Sequence, residues 1–120
     1  MPDMSDNKRL LPRFPDFARV HITELCRLPG VLEDASQNGC RVRFNDRFPV
    51  ETDQEYRMTL ASAPRSGLGE IQLIVRPEWV HCECDSQEIG FSVLHSPGLR
   101  QYLRYIENLS EQYDVELQEA

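Results

Sequence analysis

From Ala18 onward the chain alternates between apolar and polar positions in a series of short runs. Ala18, Val20 and Ile22 interleave with Arg19, His21 and Thr23, and Cys40, Val42 and Phe44 with Arg41, Arg43 and Asn45. The same period of two recurs in Tyr56, Met58 and Leu60, in Ile71, Leu73 and Val75, in Val80, Cys82 and Cys84, and in Ile89, Phe91 and Val93. Successive side chains of a strand point to opposite faces, so each run has one buried and one wet face, as in antiparallel sheet. Turn-forming residues separate the runs: Pro29-Gly30, Asn38-Gly39, Asn45-Asp46, the Pro64–Gly69 stretch and Asp85-Ser86. Asn38-Gly39 favours positive φ at a hairpin. Pro77 interrupts the fifth region and predicts a bulge or an edge there. Six or seven short strands in one small domain predict a closed or nearly closed barrel, because closure removes exposed edges. On this pattern Cys82 and Cys84 fall on the apolar side of their strand as small core residues. Trp79, as a large aromatic, is expected in the core rather than as a stacking platform.

The pattern changes after residue 95. Ser96-Pro97 predicts a helix N-cap followed by proline at the first helical position. Leu99, Leu103, Ile106 and Tyr113 then recur near helical spacing, away from Arg100, Arg104, Glu107 and Glu111. An amphipathic helix over about 97–112 therefore packs on a barrel of about 14–95, the two forming one domain over 8–112. Residues 1–7 read as a flexible polar tail and 113–120 as a solvated acidic tail.

Composition narrows the function classes. The chain has 120 residues, 40% hydrophobic and 28% charged, which suits a single folded domain. No run approaches the roughly 20 apolar residues of a membrane span. The opening MPDMSDNKRLLPR lacks the apolar core of a secretory leader, so the expected location is the cytoplasm. The four cysteines, Cys26, Cys40, Cys82 and Cys84, are accordingly read as reduced thiols. A net charge of −7 argues against general binding to nucleic acid, where neutralising phosphates supplies most of the affinity. The charge is uneven, however: Lys8, Arg9, Arg13 and Arg19 cluster near the start with Asp16 the one acid among them, which suggests a local anion site. His81, Cys82 and Cys84 lack the Cys-x2-Cys spacing of common zinc sites, so no metal is expected. No nucleophile motif stands near the three histidines, so no catalytic residue and no enzymatic activity are expected.

Two segments carry chemistry. In Lys8-Arg9-Leu10-Leu11-Pro12-Arg13, Pro12 opposes a helix and pushes Leu11 toward extended geometry. Arg9 and Arg13 then stand at most roughly 13 Å apart at Cα, able to clamp a ligand with two anionic centres. Each guanidinium can pair with phosphate or with the O6/N7 edge of guanine, and can stack on a base. In Asp34-Ala35-Ser36-Gln37-Asn38-Gly39, the Asp34 carboxylate can accept from the N1–H and N2–H₂ edge of guanine, and Ser36 can add a hydroxyl. Gly39 lets a ligand approach the backbone. Arg41 and Arg43 sit on the wet face next to this turn, close enough to assist. Taken singly, each motif is common: one is a chance arginine pair, the other a good hairpin turn.

Together and in this order they resemble the signature of the PilZ family, which is Arg-x-x-x-Arg, then about twenty residues, then Asp/Asn-x-Ser-x-x-Gly. Arg9 and Arg13 match the first part. Asp34, Ser36 and Gly39 match the second, with Asp34 following Arg13 by 21 positions. Lys8, Pro12, Trp79 and the Ile89-Gly90-Phe91 element are also similar to the family, and the resemblance covers roughly Lys8 to Leu109. It implies an all-β fold, a six-stranded antiparallel barrel with a C-terminal helix, acting as a bacterial receptor for cyclic di-GMP. It also implies an arginine segment that wraps the ligand, Asp34 and Ser36 as guanine readers, and Gly39 as the permissive position. Lys8 and Arg41 are further candidate contacts, and a basic Lys8 is compatible with a stacked pair of ligands. The output would be an ordered N-terminal segment read by a downstream protein. The alternative is a PilZ-like interaction module that does not bind the nucleotide.

Overall fold

The computed structural model describes residues 18–61 and 69–119. Six strands, β1 (Arg19–His21), β2 (Gly30–Ser36), β3 (Gly39–Phe44), β4 (Tyr56–Ala61), β5 (Glu70–Cys82) and β6 (Gln87–Val93), precede one helix, α1 (Leu99–Glu119). The strands close into a barrel in the order β1-β2-β3-β6-β5-β4, with every pair antiparallel. The fold is thus the all-β barrel with a C-terminal helix that the alternation predicts.

The inward positions of the six runs build the core. Val20, Ile22, Leu32, Val42, Phe44, Met58, Leu60, Ile71, Val75 and Ile89 are buried, each such large side chain contributing about 1.5–3 kcal/mol by leaving water. The loop after β3 folds back onto them. Buried Gln87 accepts from the Phe48 N–H at 3.3 Å and donates to the Phe48 carbonyl at 3.1 Å, and Phe48 meets Phe44 edge to face at 5.1 Å between ring centres.

Two irregularities re-aim the strands. In β5 the register shifts between Pro77 and Trp79, with Pro77 opposite Phe91 and Trp79 opposite Gly90. Glu78 is the extra residue of this bulge, where a proline without a donor is expected. The extra residue turns Trp79 outward, and it is 43% exposed rather than in the core. The runs that flank Pro77 are therefore one long strand, and its far end runs past β4, paired there with β6 alone. Cys82 keeps the expected phase, with its thiol on buried Gln87, and Cys84 lies past the strand in a bend; both are exposed rather than core. In β2 a second shift falls between Leu32 and Asp34, leaving Glu33 as the extra residue.

The helix also corrects its expected stripe. Tyr102, Tyr105, Ile106 and Leu109 are buried, whereas Leu103 is 41% exposed; Tyr113 lies outside the described side chains. Ser96 is not the N-cap, since its hydroxyl donates to the Leu94 carbonyl at 2.8 Å. The first helical bond instead runs from the Tyr102 N–H to the Gly98 carbonyl at 2.9 Å. A side chain at Gly98 would stand 2.1 Å from the Gln72 carbonyl oxygen, so glycine is what lets the helix start against β5. The helix runs on to Glu119, taking in residues read from the sequence as an acidic tail. Among the described residues no helix is long and apolar enough to cross a membrane.

Candidate functional site

The outer face of the barrel carries cross-strand rows that the alternation brings into line. The turn from β2 to β3 is centred on Gln37 and Asn38, with Ser36 paired to Gly39. The positive φ expected at Asn38-Gly39 is not held by Gly39, because the positive-φ glycine among the described residues is Gly69. One row runs from Asp34 on β2 to Arg41 on β3, Gly90 on β6 and Trp79 on β5. The next runs from Val31 to Arg43, Glu88 and His81.

A cleft of about 350 Å³ opens along the first row. Asp34, Asn38, Gly39 and Arg41 form one wall, and Glu78, Trp79, Gly90 and Ser92 form the other. Gly90 makes the indole's position possible: a side chain there would stand 2.2 Å from the Trp79 ring. The Glu78 carboxylate accepts from the Ser92 hydroxyl at 2.8 Å. A half-exposed aromatic plane beside a carboxylate and a guanidinium suits a planar, polar-edged ligand.

Asp34 is nearly buried and pairs with Arg41 at 3.0 Å. The Arg41 Nε and the Glu33 Oε1, 3.8 Å apart, are buried without a hydrogen-bond partner. Arg43 is tied far more tightly. Its guanidinium donates to Glu33 at 3.1 Å, Glu88 at 2.9 Å, Glu83 at 3.3 Å and the Ser86 hydroxyl at 3.5 Å. Hydrogen bonds to Glu33 and Glu83 raise its pKa above the ordinary value. The two central carboxyls are driven apart. Burial works to raise Glu33, but hydrogen bonds from Glu88 and Arg43 and the charges of both arginines hold it below its ordinary value. The hydrogen bond to Glu33, then burial and the Glu33 charge, push Glu88 up against the pull of Arg41 and Arg43.

Asp34, Gly39 and Arg41 thus converge on one cleft. Ser36 lies beneath it, 2% exposed, with its hydroxyl 3.2 Å from Asn38 Oδ1 and 3.4 Å from the Gly39 carbonyl. Lys8, Arg9 and Arg13 lie outside the described residues. Trp79 and Gly90, which the sequence offers only as strand residues, belong to the cleft, as do Glu78 and Ser92. Pro77 signals the bulge that brings Glu78 and Trp79 there, but does not say which way the next side chain turns. Tyr102 is a further unforeseen participant. Its buried hydroxyl stands 2.7 Å from the Ser36 carbonyl and 3.0 Å from the Gly39 carbonyl, fastening the turn to the helix. Among the described residues no group of three or more His, Cys, Asp or Glu side chains could hold a metal ion.

Neither the family models nor the curated proteins compared with this chain match its sequence. Among solved structures the barrel is similar to that of the Bacillus subtilis inhibitor of motility, MotI/DgrA, with a TM-score of 0.65 at 10% identity. The match covers 88% of this chain and 51% of the other, so the chain spans about half the length of the protein it resembles. The likeness shows the fold: a closed six-stranded antiparallel barrel with a C-terminal helix.

Proposed function

We propose that this protein is a receptor that binds cyclic di-GMP in the cleft between the β2–β3 turn and Trp79. The observation that carries the reading is the convergence of Asp34, Gly39 and Arg41 with the Trp79 ring on one row of the barrel surface. Strand pairing brings these residues into one row, and the exposed indole across Gly90 gives that row a surface on which a base can stack. The PilZ-like fold supports the same reading.

In this proposal one guanine stacks on Trp79 and offers its N1–H and N2–H₂ edge to Asp34, while Gly39 allows close approach to the turn. The buried hydroxyl of Ser36 fixes the shape of that turn. A cleft of about 350 Å³ is at the small end of ligand sites, which leaves the phosphates facing outward for Arg9 and Arg13, with Lys8 beside them. Reach permits this. Arg13 precedes Ala18 by five residues, at most about 18 Å of extended chain, and the Ala18 carbonyl accepts from the N–H of Leu32, two residues before Asp34. Arg41 contributes by shifting part of its pairing from Asp34 to the ligand. Binding orders the arginine segment over the barrel, and a downstream protein reads the changed surface.

Calorimetric titration of the full chain with cyclic di-GMP tests this, with GTP and cyclic di-AMP as controls. Arg9→Ala and Arg13→Ala are each expected to lose at least ~2 kcal/mol of binding, about thirtyfold in Kd. Asp34→Ala is expected to weaken guanine nucleotides selectively. Unchanged affinity in both arginine variants overturns the site, and the absence of binding by the folded wild-type chain leaves the interaction module in its place.

A further inference from the structure

Cys82 and Cys84 stand at the end of β5, beyond its pairing with β4, and both are exposed. Cys82 ends β5 and pairs across to Gln87, while Cys84 sits in the bend that the Glu83 N–H closes by donating to the Ser86 carbonyl at 2.9 Å. Cα atoms two residues apart stand about 6.6 Å apart on fully extended chain, which sets the upper bound for this pair. That separation falls within the roughly 4.4–6.8 Å that a disulfide spans, and a bend shortens it further. The other two cysteines are placed differently, Cys40 buried in the core and Cys26 half-buried. The cleft uses neither Cys82 nor Cys84.

We propose that Cys82 and Cys84 form a reversible dithiol–disulfide couple at the tip of the β5–β6 hairpin, closed by a peroxide and reopened by a thiol. One thiolate attacks a peroxide oxygen. The O–O bond breaks, and the departing oxygen takes up a proton and leaves as water. The second sulfur attacks the resulting sulfenic acid, gives up its own proton as the S–S bond forms, and a second water departs. Two thiols and one hydrogen peroxide yield one disulfide and two waters, the sulfurs losing the two electrons that the peroxide oxygens gain.

The couple has a built-in readout. In the reduced state the Cys82 thiol donates to Gln87 Oε1 at 3.5 Å. That same oxygen accepts from the Phe48 N–H, and the Gln87 amide nitrogen donates to the Phe48 carbonyl. A disulfide sulfur carries no proton, so oxidation removes one of the three bonds that hold this buried amide, and the clasp on the Phe48 loop loosens.

The test uses the full chain, reduced, freed of reductant and treated with hydrogen peroxide, beside Cys82→Ser and Cys84→Ser. In the wild type both exposed thiols are expected to disappear together. The peptide carrying them should lose two hydrogens in mass, the chain should gain no intermolecular disulfide, and dithiothreitol should restore both thiols. In the disulfide form, hydrogen exchange at the Phe48 amide is expected to quicken severalfold, and neither serine variant should lose the two hydrogens. Oxygen addition to that peptide, disulfide-linked dimers in place of the internal bond, or the same hydrogen loss in Cys84→Ser overturns the couple. Unchanged Phe48 exchange in protein shown to carry the disulfide overturns the link to Gln87.

Discussion

Arg41 and Arg43 stand two residues apart on the same outer face of β3 with almost the same side-chain exposure, 36% and 35%, yet their surroundings give them opposite roles. Arg43 faces Glu88 across the strand and is enclosed by Glu33, Glu83 and Ser86. Arg41 faces Gly90, where the missing side chain opens the cleft and admits the Trp79 ring. Arg41 has a close ion pair with Asp34, longer contacts to Glu33 and Glu88, and a buried Nε without a partner. Equal exposure thus says little about an arginine's availability. What separates the two is the residue opposite: a carboxylate at one position makes a structural clamp, a glycine at the next leaves an open cleft.

The largest effect expected from this contrast is on stability at the Arg43 end. Arg43→Ala leaves Glu33 and Glu88 without their main counter-charge and is expected to lower unfolding stability by about 2 kcal/mol, the scale of charged hydrogen bonds on a partly screened group. Urea denaturation measures it, and affinity for cyclic di-GMP should stay within about twofold. Arg41→Ala should do the reverse, weakening binding about tenfold, or about 1.4 kcal/mol, with less than about 1 kcal/mol change in stability. Equal effects of the two on stability would erase the distinction. Gly90→Ala probes the opening itself. Its methyl group must displace the indole, so binding is expected to fall by about 1 kcal/mol, the low end of a base–aromatic stack, with a matching change in tryptophan fluorescence.

The smallest effect is electrostatic and depends on pH. The folded protein raises the Glu88 carboxyl above its ordinary value of 4.5. Its contribution is therefore present below that value and is lost as pH rises through the raised one. Glu33 is lowered, so its contribution is present above 4.5 and is lost only as pH falls through its lowered value. Glu88→Gln keeps a donor toward Glu33 and removes the charge. Its stability relative to wild type should rise from about pH 4.5 toward neutrality, by less than about 1 kcal/mol for so partly exposed a cluster. Urea midpoints measured across that interval check the sign, and Glu33→Gln should show no such gain.

Period-two alternation is legible wherever a strand has one face on the core, which is why Val42 and Phe44, Met58 and Leu60, and Ile71 to Val75 sit as expected. Legibility ends where the chain departs from two residues per pleat. Pro77 announces its bulge, yet the burial expected of Trp79 from its size fails, because the inserted residue turns that side chain outward. The Glu33 bulge carries no proline or glycine to announce it. Cys82 has the right phase, but the alternation does not say that the strand ends there and that Cys84 falls in the bend. On the helix, Leu103 outranks Tyr102 by hydropathy. A tyrosine is buried when its hydroxyl finds a partner, and those acceptors, the Ser36 and Gly39 carbonyls, are more than sixty residues away in the chain. Asp34, Gly39 and Arg41 can be chosen from the sequence; the wall facing them cannot, because it is made by pairing.

That tyrosine gives the helix a second occupation. A two-residue hairpin turn is ordinarily positioned by its own strands, but here its carbonyls also hang from a phenol on another element. Cutting the chain ahead of residue 102 would therefore do more than uncover apolar surface. The turn would lose its outside anchor, and its two carbonyls would be left to its own strands to hold.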